Sequence, residues 1–423
     1  MPRLTRDSTT WLTYAQLGLW GFFLYGFGPV VPLLRDEQGI SAAVAGLHST
    51  AVAVGALLGG ALFAPLARRL GRGAAIWTGL AGLAVGVTAF GLLHPLPATL
   101  TAVVVIATGG MMVISGVAVV LTARHGPAAP GALTEANAVC AGMGILAPLV
   151  IGASVDAGHG WRPVMAVEVG LIALVALAAR LFRVRLPQAA PATAAAADPA
   201  GVTAPAEPAR PPRRSAPARP APAGRLPRAY WIAWVLMSVT GSIEVCLSLW
   251  TADVLRSHAG MTAGAASAAV AAIVCGMFLG RLVGGRIALR WPPAPLLLGA
   301  LTVSLVGFTL FWLAPVGWLA VTGLVVLGLG NALHYPLAIS IALAVAGPSA
   351  DKAAGWASYS MGVGFGIAPV ALGAVADGVG PHLAFLALPG FIVAAVLLTV
   401  RLGRALRATP PAAADRTPAA VGA

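Results

Sequence analysis

The sequence predicts an all-α membrane protein of twelve transmembrane helices in two six-helix halves. Three observations lead there. The chain is 59% hydrophobic and only 9% charged, against roughly a quarter charged in soluble domains, and its mean hydropathy is +0.89. It divides into apolar runs of membrane-spanning length. Its two ends also repeat one another in a single register.

A span needs about 20 apolar residues. Such runs fall at 11–34, 42–67, 74–94, 98–123, 134–156 and 162–183, then at 230–255, 264–289, 295–314, 318–346, 354–377 and 383–403. Each is expected to be a helix, because a segment alone in lipid must satisfy its own backbone hydrogen bonds. The first run, from Trp11, is about 24 residues long and lacks a small-residue cleavage site after a short core. It reads as a span and not as a signal peptide. Cys140, Cys246 and Cys275 all lie in apolar runs without metal-ligand spacing, so they read as small buried residues.

Between the sixth and seventh runs the composition changes. Residues 186–228 are rich in Pro, Ala and Arg with no apolar period, which predicts a disordered linker. The expected organisation is a first six-helix bundle over 1–185, the linker over 186–228, a second bundle over 229–407, and a disordered tail over 408–423. At a constant offset of 221 residues, LLRDEQGIS (33–41) lies over VLRSHAGMT (254–262), and LGGALFAPLARR (58–69) over LGRLVGGRIALR (279–290). In the same register HGP (125–127) lies over AGP (346–348), and APLVIGASVDAG (147–158) over APVALGAVADGV (368–379). Two parallel halves joined by a linker is transporter architecture.

The net charge of +13 raises nucleic acid as a partner, but its distribution argues otherwise. With the N-terminus inside, only Arg35, Arg162 and Arg256 fall in outer loops, leaving 23 of the 26 Lys+Arg on the inner side. That is the positive-inside bias. It predicts a multi-pass cell-membrane protein with both termini and the linker cytoplasmic, embedded in lipid, and no nucleic-acid partner. A basic linker can also touch anionic lipid.

Together these features resemble the major facilitator superfamily over nearly the whole chain. The family's Gly-x-x-x-Asp-Arg-x-Gly-Arg-Arg loop stands between the second and third runs as APLARRLGRG (64–73). Arg69, Gly71 and Arg72 match, while Ala64 replaces the first Gly and Arg68 the Asp. The second copy, GRIALRW, keeps Gly285 and Arg290 with Leu289 at the Asp. GWR (160–162) is a further family mark. The resemblance implies an inner gate loop. With its Asp missing, Arg68 and Arg69 would need another carboxylate, for which Glu135 is the candidate, or they are simple positive-inside anchors. VTGSIEVCLSLWTADVL (239–255) looks like the seventh helix of fucose-permease-like sugar symporters, but the acidic residue those symporters carry in helix 1 is absent here. The membrane Arg of drug antiporters is absent from 103–116, and their helix-5 pattern survives only as MGILAPLVIG (143–152).

Glu244 is the main candidate residue. It lies about 14 residues from the inner end of its run and about 11 from the outer. An ionised carboxylate at the midplane costs at least ~2.5 kcal/mol on insertion scales. The group therefore reads as a proton carrier or a substrate acceptor, against the plainer alternative of a neutral acid bonded to a backbone carbonyl. Thr240, Ser248 and Thr251 recur with it at helical spacing. Asn331, His334 and Tyr335 lie together near mid-depth of the tenth run, and the resemblance implies that the first, fourth, seventh and tenth helices line the cavity. His334 could then share a proton with Glu244, or hold helices together by hydrogen bonds. Gln16, Trp20 and Tyr25 in the first run suit a sugar-like or mixed polar–apolar ligand, and Tyr359 is a secondary cavity candidate. Arg281 pairs with an anionic substrate or, as is commoner, snorkels to the inner surface. Asp156 and Asp377 are repeat-related outer ends that read as caps or gates. Gly55, Gly59, Gly60, Gly276, Gly280 and Gly284 allow close helix approach.

No nucleotide loop, metal cluster or nucleophile–base pair is visible, so no enzyme activity, catalytic residue, metal or cofactor is expected. The expected function is secondary active transport of a small molecule by alternating access, as proton-coupled symport of a sugar-like or other polar metabolite. The alternative is proton-coupled efflux of a drug or secondary metabolite. A monomer is expected.

Overall fold

The computed structural model describes residues 5–184, 186, 226–288, 290–346 and 350–408. Among them there is no strand. The helices are α1 Ser8–Gln38, α2 Ala42–Leu70, α3 Arg72–Leu92, α4 Leu96–His125, α5 Ala129–Asp156 and α6 Arg162–Leu181, followed by α7 Arg228–Ser257. Then come α8 Ala263–Ala269, α9 Ala271–Ala288, α10 Pro293–Trp312, α11 Gly317–Asn331, α12 His334–Ala346, α13 Ala350–Val379, α14 Pro381–Ala384 and α15 Ala387–Ala408.

Among the described residues, eleven helical stretches are long and apolar enough to cross a membrane. One of them, Leu96–Asp156, is 61 residues long. It is interrupted between α4 and α5 by a 3-10 turn at Gly126–Ala128, where Gly126 has φ +50°. Most of the linker and tail lies outside the described residues; the linker's last residue, Arg228, already opens α7.

Local chemistry places the ends. The Asp7, Ser41 and Thr262 side chains each accept a backbone N–H in the first turn that follows, which is ordinary N-capping. Gly39 closes α1 at φ +63° in the left-handed region that favours glycine. Three expected runs are not continuous. The run at 264–289 divides at Val270, that at 318–346 at Ala332 and Leu333, and that at 383–403 at Phe385 and Leu386. Proline explains the last two, since it lacks an N–H and crowds the carbonyl four residues back. Pro336 acts on Ala332, and Pro389 on Phe385.

Hydrogen bonds join helix ends into two opposite faces. On the face bearing the Gly39 turn, Gln38 donates to the His94 carbonyl at 2.6 Å. There too Arg162 holds Glu37 at 2.7 Å and donates to the carbonyls of Phe90, Gly91 and Leu93. On the face bearing the Gly71 turn, Arg6 holds Glu135 at 2.5 Å and Arg124 pairs with Asp7.

Glu135 thus goes to Arg6, with the Tyr14 hydroxyl donating to it at 3.1 Å, and not to Arg68 or Arg69. Arg68 and Arg69 are exposed in the last turn of α2, Arg72 opens α3, and Arg290 is exposed beyond α9. Among the described residues none of the four makes an ion pair. The N-terminal segment ahead of α1 reaches Glu135 first, a competitor that motif spacing alone does not reveal.

Candidate functional site

The site is built where helices from the two ends of the chain meet. Tyr25 and Phe27 of α1, Ser49 and Val52 of α2, Glu244 and Ser248 of α7, Ile273 and Met277 of α9, and Phe365 of α13 surround a central cavity of about 60 Å³. That is room for a few waters and well short of the several hundred Å³ of an ordinary ligand pocket. Glu244 is half-buried on its wall. Most of the remaining lining is apolar.

A second and larger space, about 700 Å³, opens toward the Gly71 face. Thr134, Asn137 and Ala141 of α5, Phe278, Arg281 and Leu282 of α9, and Pro336 of α12 line it. Arg281 stands between the two spaces. It is exposed to the larger one, yet its charge acts on Tyr25, Glu244 and Cys140 around the centre. Arg281 and Glu244 are within electrostatic reach without forming a contact ion pair. Tyr335 also lies within electrostatic reach of Glu244. Arg281 is thus exposed to the larger space while lying one helical turn beyond Met277, which lines the centre.

Other expected site residues lie elsewhere. His334 is buried with Nε2 3.1 Å from Ser304 Oγ of α10, away from the cavity. The break at Ala332 and Leu333 changes the phase of the tenth run, so helical-wheel spacing across it misplaces this ring. Asn331 is buried against Met277, its Nδ2 3.8 Å from the sulfur. Gln16 is fully buried with neither amide atom bonded. Trp20 is buried and stacks on Phe23 at 6.0 Å. Thr240 spends its hydroxyl on the Met237 carbonyl at 3.0 Å. Tyr359 is exposed and packs on Trp356 at 5.5 Å. Tyr25, Glu244 and Ser248 are the expected residues brought together on one cavity wall.

Above the cavity, the Gly39 face is bridged between the first and second halves of the chain. Arg35 pairs with Asp253, and Arg256 holds Asp36 at 2.8 Å. Asp377, at the end of α13, accepts the N–H groups of Ala42 and Ala43 at 2.7 and 3.0 Å, on the first turn of α2. Asp156, its repeat counterpart at the end of α5, accepts the Thr262 hydroxyl at 3.0 Å. A carboxylate at a helix N-terminus is favoured by the helix dipole. On the Gly71 face the ion pairs among the described residues stay within the first half. Among the described residues, ion pairs therefore tie the first and second halves of the chain together on the Gly39 face alone.

A family model described as Major Facilitator Superfamily matches residues 16–350. The chain belongs to the Major Facilitator Superfamily. It is thus a multi-pass membrane transporter of a small molecule and not an enzyme. Among solved structures, this superfamily member is similar to a point mutant of the nucleoside transporter NupG, at TM-score 0.72 and 13% identity. That match covers 93% of this chain and 98% of the other. A bacterial homologue of the human lysosomal transporter Spinster, inward-facing and unoccupied, gives TM-score 0.72 and 16% identity, covering 96% of this chain and 100% of that one. The transporter FucP in its outward conformation gives 0.55 and 17%, covering 93% and 98%. No curated protein matches the chain in sequence.

Sequence reasoning left the reach of Arg281 open and missed the role of Ser49. The Ser49 hydroxyl donates to the Phe365 carbonyl at 2.7 Å. That carbonyl loses its helical partner because Pro369, four residues on, has no N–H. The proline was visible in the sequence; the helix crossing that brings Ser49 to it was not.

Proposed function

We propose that this chain is a proton-coupled secondary carrier that moves a small polar metabolite by alternating access, with Glu244 carrying the proton. The observation behind it is the Glu244 carboxylate on the wall of a small, mostly apolar cavity where helices from both halves of the chain meet. A carboxylate there crosses a low-dielectric barrier more cheaply when neutral or paired than as a free anion. Proton and cargo occupancy then control reorientation.

In this reading the Leu96–Asp156 stretch crosses twice, which gives twelve spans in two six-helix halves. The positive-inside bias puts the Gly71 face, the linker and both termini in the cytoplasm. The bridged Gly39 face is the closed outer gate, and the molecule works as a monomer in the cell membrane. Efflux is a second reading, favoured by the apolar lining supplied by Phe27, Val52, Ile273, Met277 and Phe365, which suits a cargo with an apolar body.

The test is Glu244→Gln in proteoliposomes. Gln keeps size and hydrogen bonding but fixes the neutral state. Proton-driven accumulation should vanish while exchange of cargo down its own gradient persists. Accumulation that survives with wild-type pH dependence would overturn the assignment.

A further inference from the structure

We propose that the cargo is a small organic monoanion, held through its carboxylate by Arg281, and that it moves with one proton so that each cycle is electroneutral. This rests on the carrier reading above and names its substrate class.

The argument begins with an unusual guanidinium. Arg281 offers five N–H donors in a planar fork that matches a carboxylate. It faces the larger space open toward the Gly71 face and makes no contact ion pair among the described residues. A cation at membrane depth requires a counter-charge. The groups facing it and Glu244 are Tyr25 of α1, Cys140 of α5 and Tyr335 of α12. Phenols and thiols are neutral at ordinary pH. Among the described residues, Glu244 is thus the one anion whose charge reaches Arg281.

Charge addition gives the mechanism. In the empty carrier, Arg281 cation and Glu244 anion sum to zero. When a carboxylate cargo takes over the guanidinium, Glu244 loses its counter-charge and accepts one proton from water. Cargo anion plus Arg281 cation plus neutral Glu244 again sum to zero. With cargo bound but no proton, the site is net negative; with the proton but no cargo, it is net positive. Both half-loaded forms expose a net charge to the low-dielectric barrier and are held back. The empty and fully loaded forms can reorient. On the other side the proton leaves Glu244, the carboxylate group reforms its attraction to Arg281, and the cargo anion is released. No bond other than O–H is made or broken.

Tyr25 and Ser248 supply neutral hydrogen-bonding groups at the same centre, and the apolar lining accepts the cargo body. The design selects for one negative charge rather than for a hydroxyl pattern.

The experiment uses purified full-length protein and three isosteric pairs: gluconate with glucose, mandelate with mandelamide, and hexanoate with hexanamide. Thermal stabilisation reads binding at mildly acid and mildly alkaline pH. Reconstituted vesicles with an internal pH dye and a clamped potential read flux. The anion of at least one pair should bind, and its uncharged partner should not. Arg281→Gln should weaken that anion about thirtyfold or more, and Arg281→Lys should recover part of it. Wild-type affinity should fall about tenfold from acid to alkaline pH as ionised Glu244 competes for Arg281. Glu244→Gln should bind the anion equally at both. Flux should carry one proton per anion and ignore the imposed potential.

Binding of no anion, equal binding of an uncharged partner, or an Arg281→Gln variant with wild-type affinity would overturn the inference. Proton-driven, Glu244-dependent uptake of an uncharged member would do so while leaving the carrier reading intact. Anion binding at Arg281 with no proton-driven flux of any compound would overturn the carrier reading instead.

Discussion

Two repeat-related seams hold the halves of the chain together, and they are not equally strong. At the first, α2 crosses α13. Asp377 accepts two N–H groups of α2, while Ser49 and Thr50 donate to the Phe365 and Gly366 carbonyls at 2.7 and 2.6 Å. At the second, α5 crosses α8 and α9. Asp156 accepts only the Thr262 hydroxyl, and the positions 221 residues beyond Ser49 and Thr50 are Val270 and Ala271, which offer no hydroxyl. Both α5 and α13 carry the repeat proline, Pro148 and Pro369. The space that ends at Arg281 lies along the weaker seam, between α5, α9 and α12. The sequence repeat sets a carboxylate and a proline at both seams; Ser49 and Thr50 tie one of them, and the other has no counterpart hydroxyls.

The largest expected effect comes from the clamp between α1 and α7, which lies outside both seams. Asp253 is only 4% exposed. Arg35→Ala leaves that carboxylate with Arg256 alone at 3.7 Å, and should cost roughly 3 kcal/mol, read as a fall in thermal stability and a widened Gly39 face. Next is Gly264→Ala. A Cβ there would run into the Asp156 carboxylate and the Gly152 carbonyl, so overpacking should cost about 1–3 kcal/mol, read as a fall in thermal stability.

Asp377→Asn should cost about 1–2 kcal/mol, and Asp156→Asn no more than ~1 kcal/mol. Equal losses in thermal unfolding would contradict the ranking of the seams. The smallest effect belongs to Gly60→Ala. Nothing lies within 4 Å of its added Cβ, and Ala favours the helix by about 1 kcal/mol or less. Its stability should be unchanged or slightly higher, and its transport unaltered.

Much of the frame was legible before any coordinates. Apolar runs give helices because lipid leaves the backbone no other partner. The run expected at 42–67 is α2, Ala42–Leu70, and that at 162–183 is α6, Arg162–Leu181. Repeat register also marked Asp156 and Asp377 as equivalent helix ends, and both lie in the last turn of their helices, α5 and α13. What failed depended on side-chain direction. His334 was misplaced by a proline-induced break, and Glu135 by a competing arginine ahead of α1. Arg281 was undecided between surface and centre because a long side chain can reach either. Ser49 gave no signal, since a serine in an apolar helix acquires meaning only from the helix it crosses.

The most direct test of the account measures both faces at once. Spin labels at His94 and Leu313, which are 68% and 61% exposed, report the Gly39 face. Labels at Leu70 and Trp291, which are 56% and 61% exposed, report the Gly71 face. In the parent protein the first pair should show a short distance and the second a long one. Arg35→Ala should lengthen the first and shorten the second together, because closure of one face opens the other about the central cavity. A first distance that lengthens while the second stays fixed would contradict alternating access in this chain.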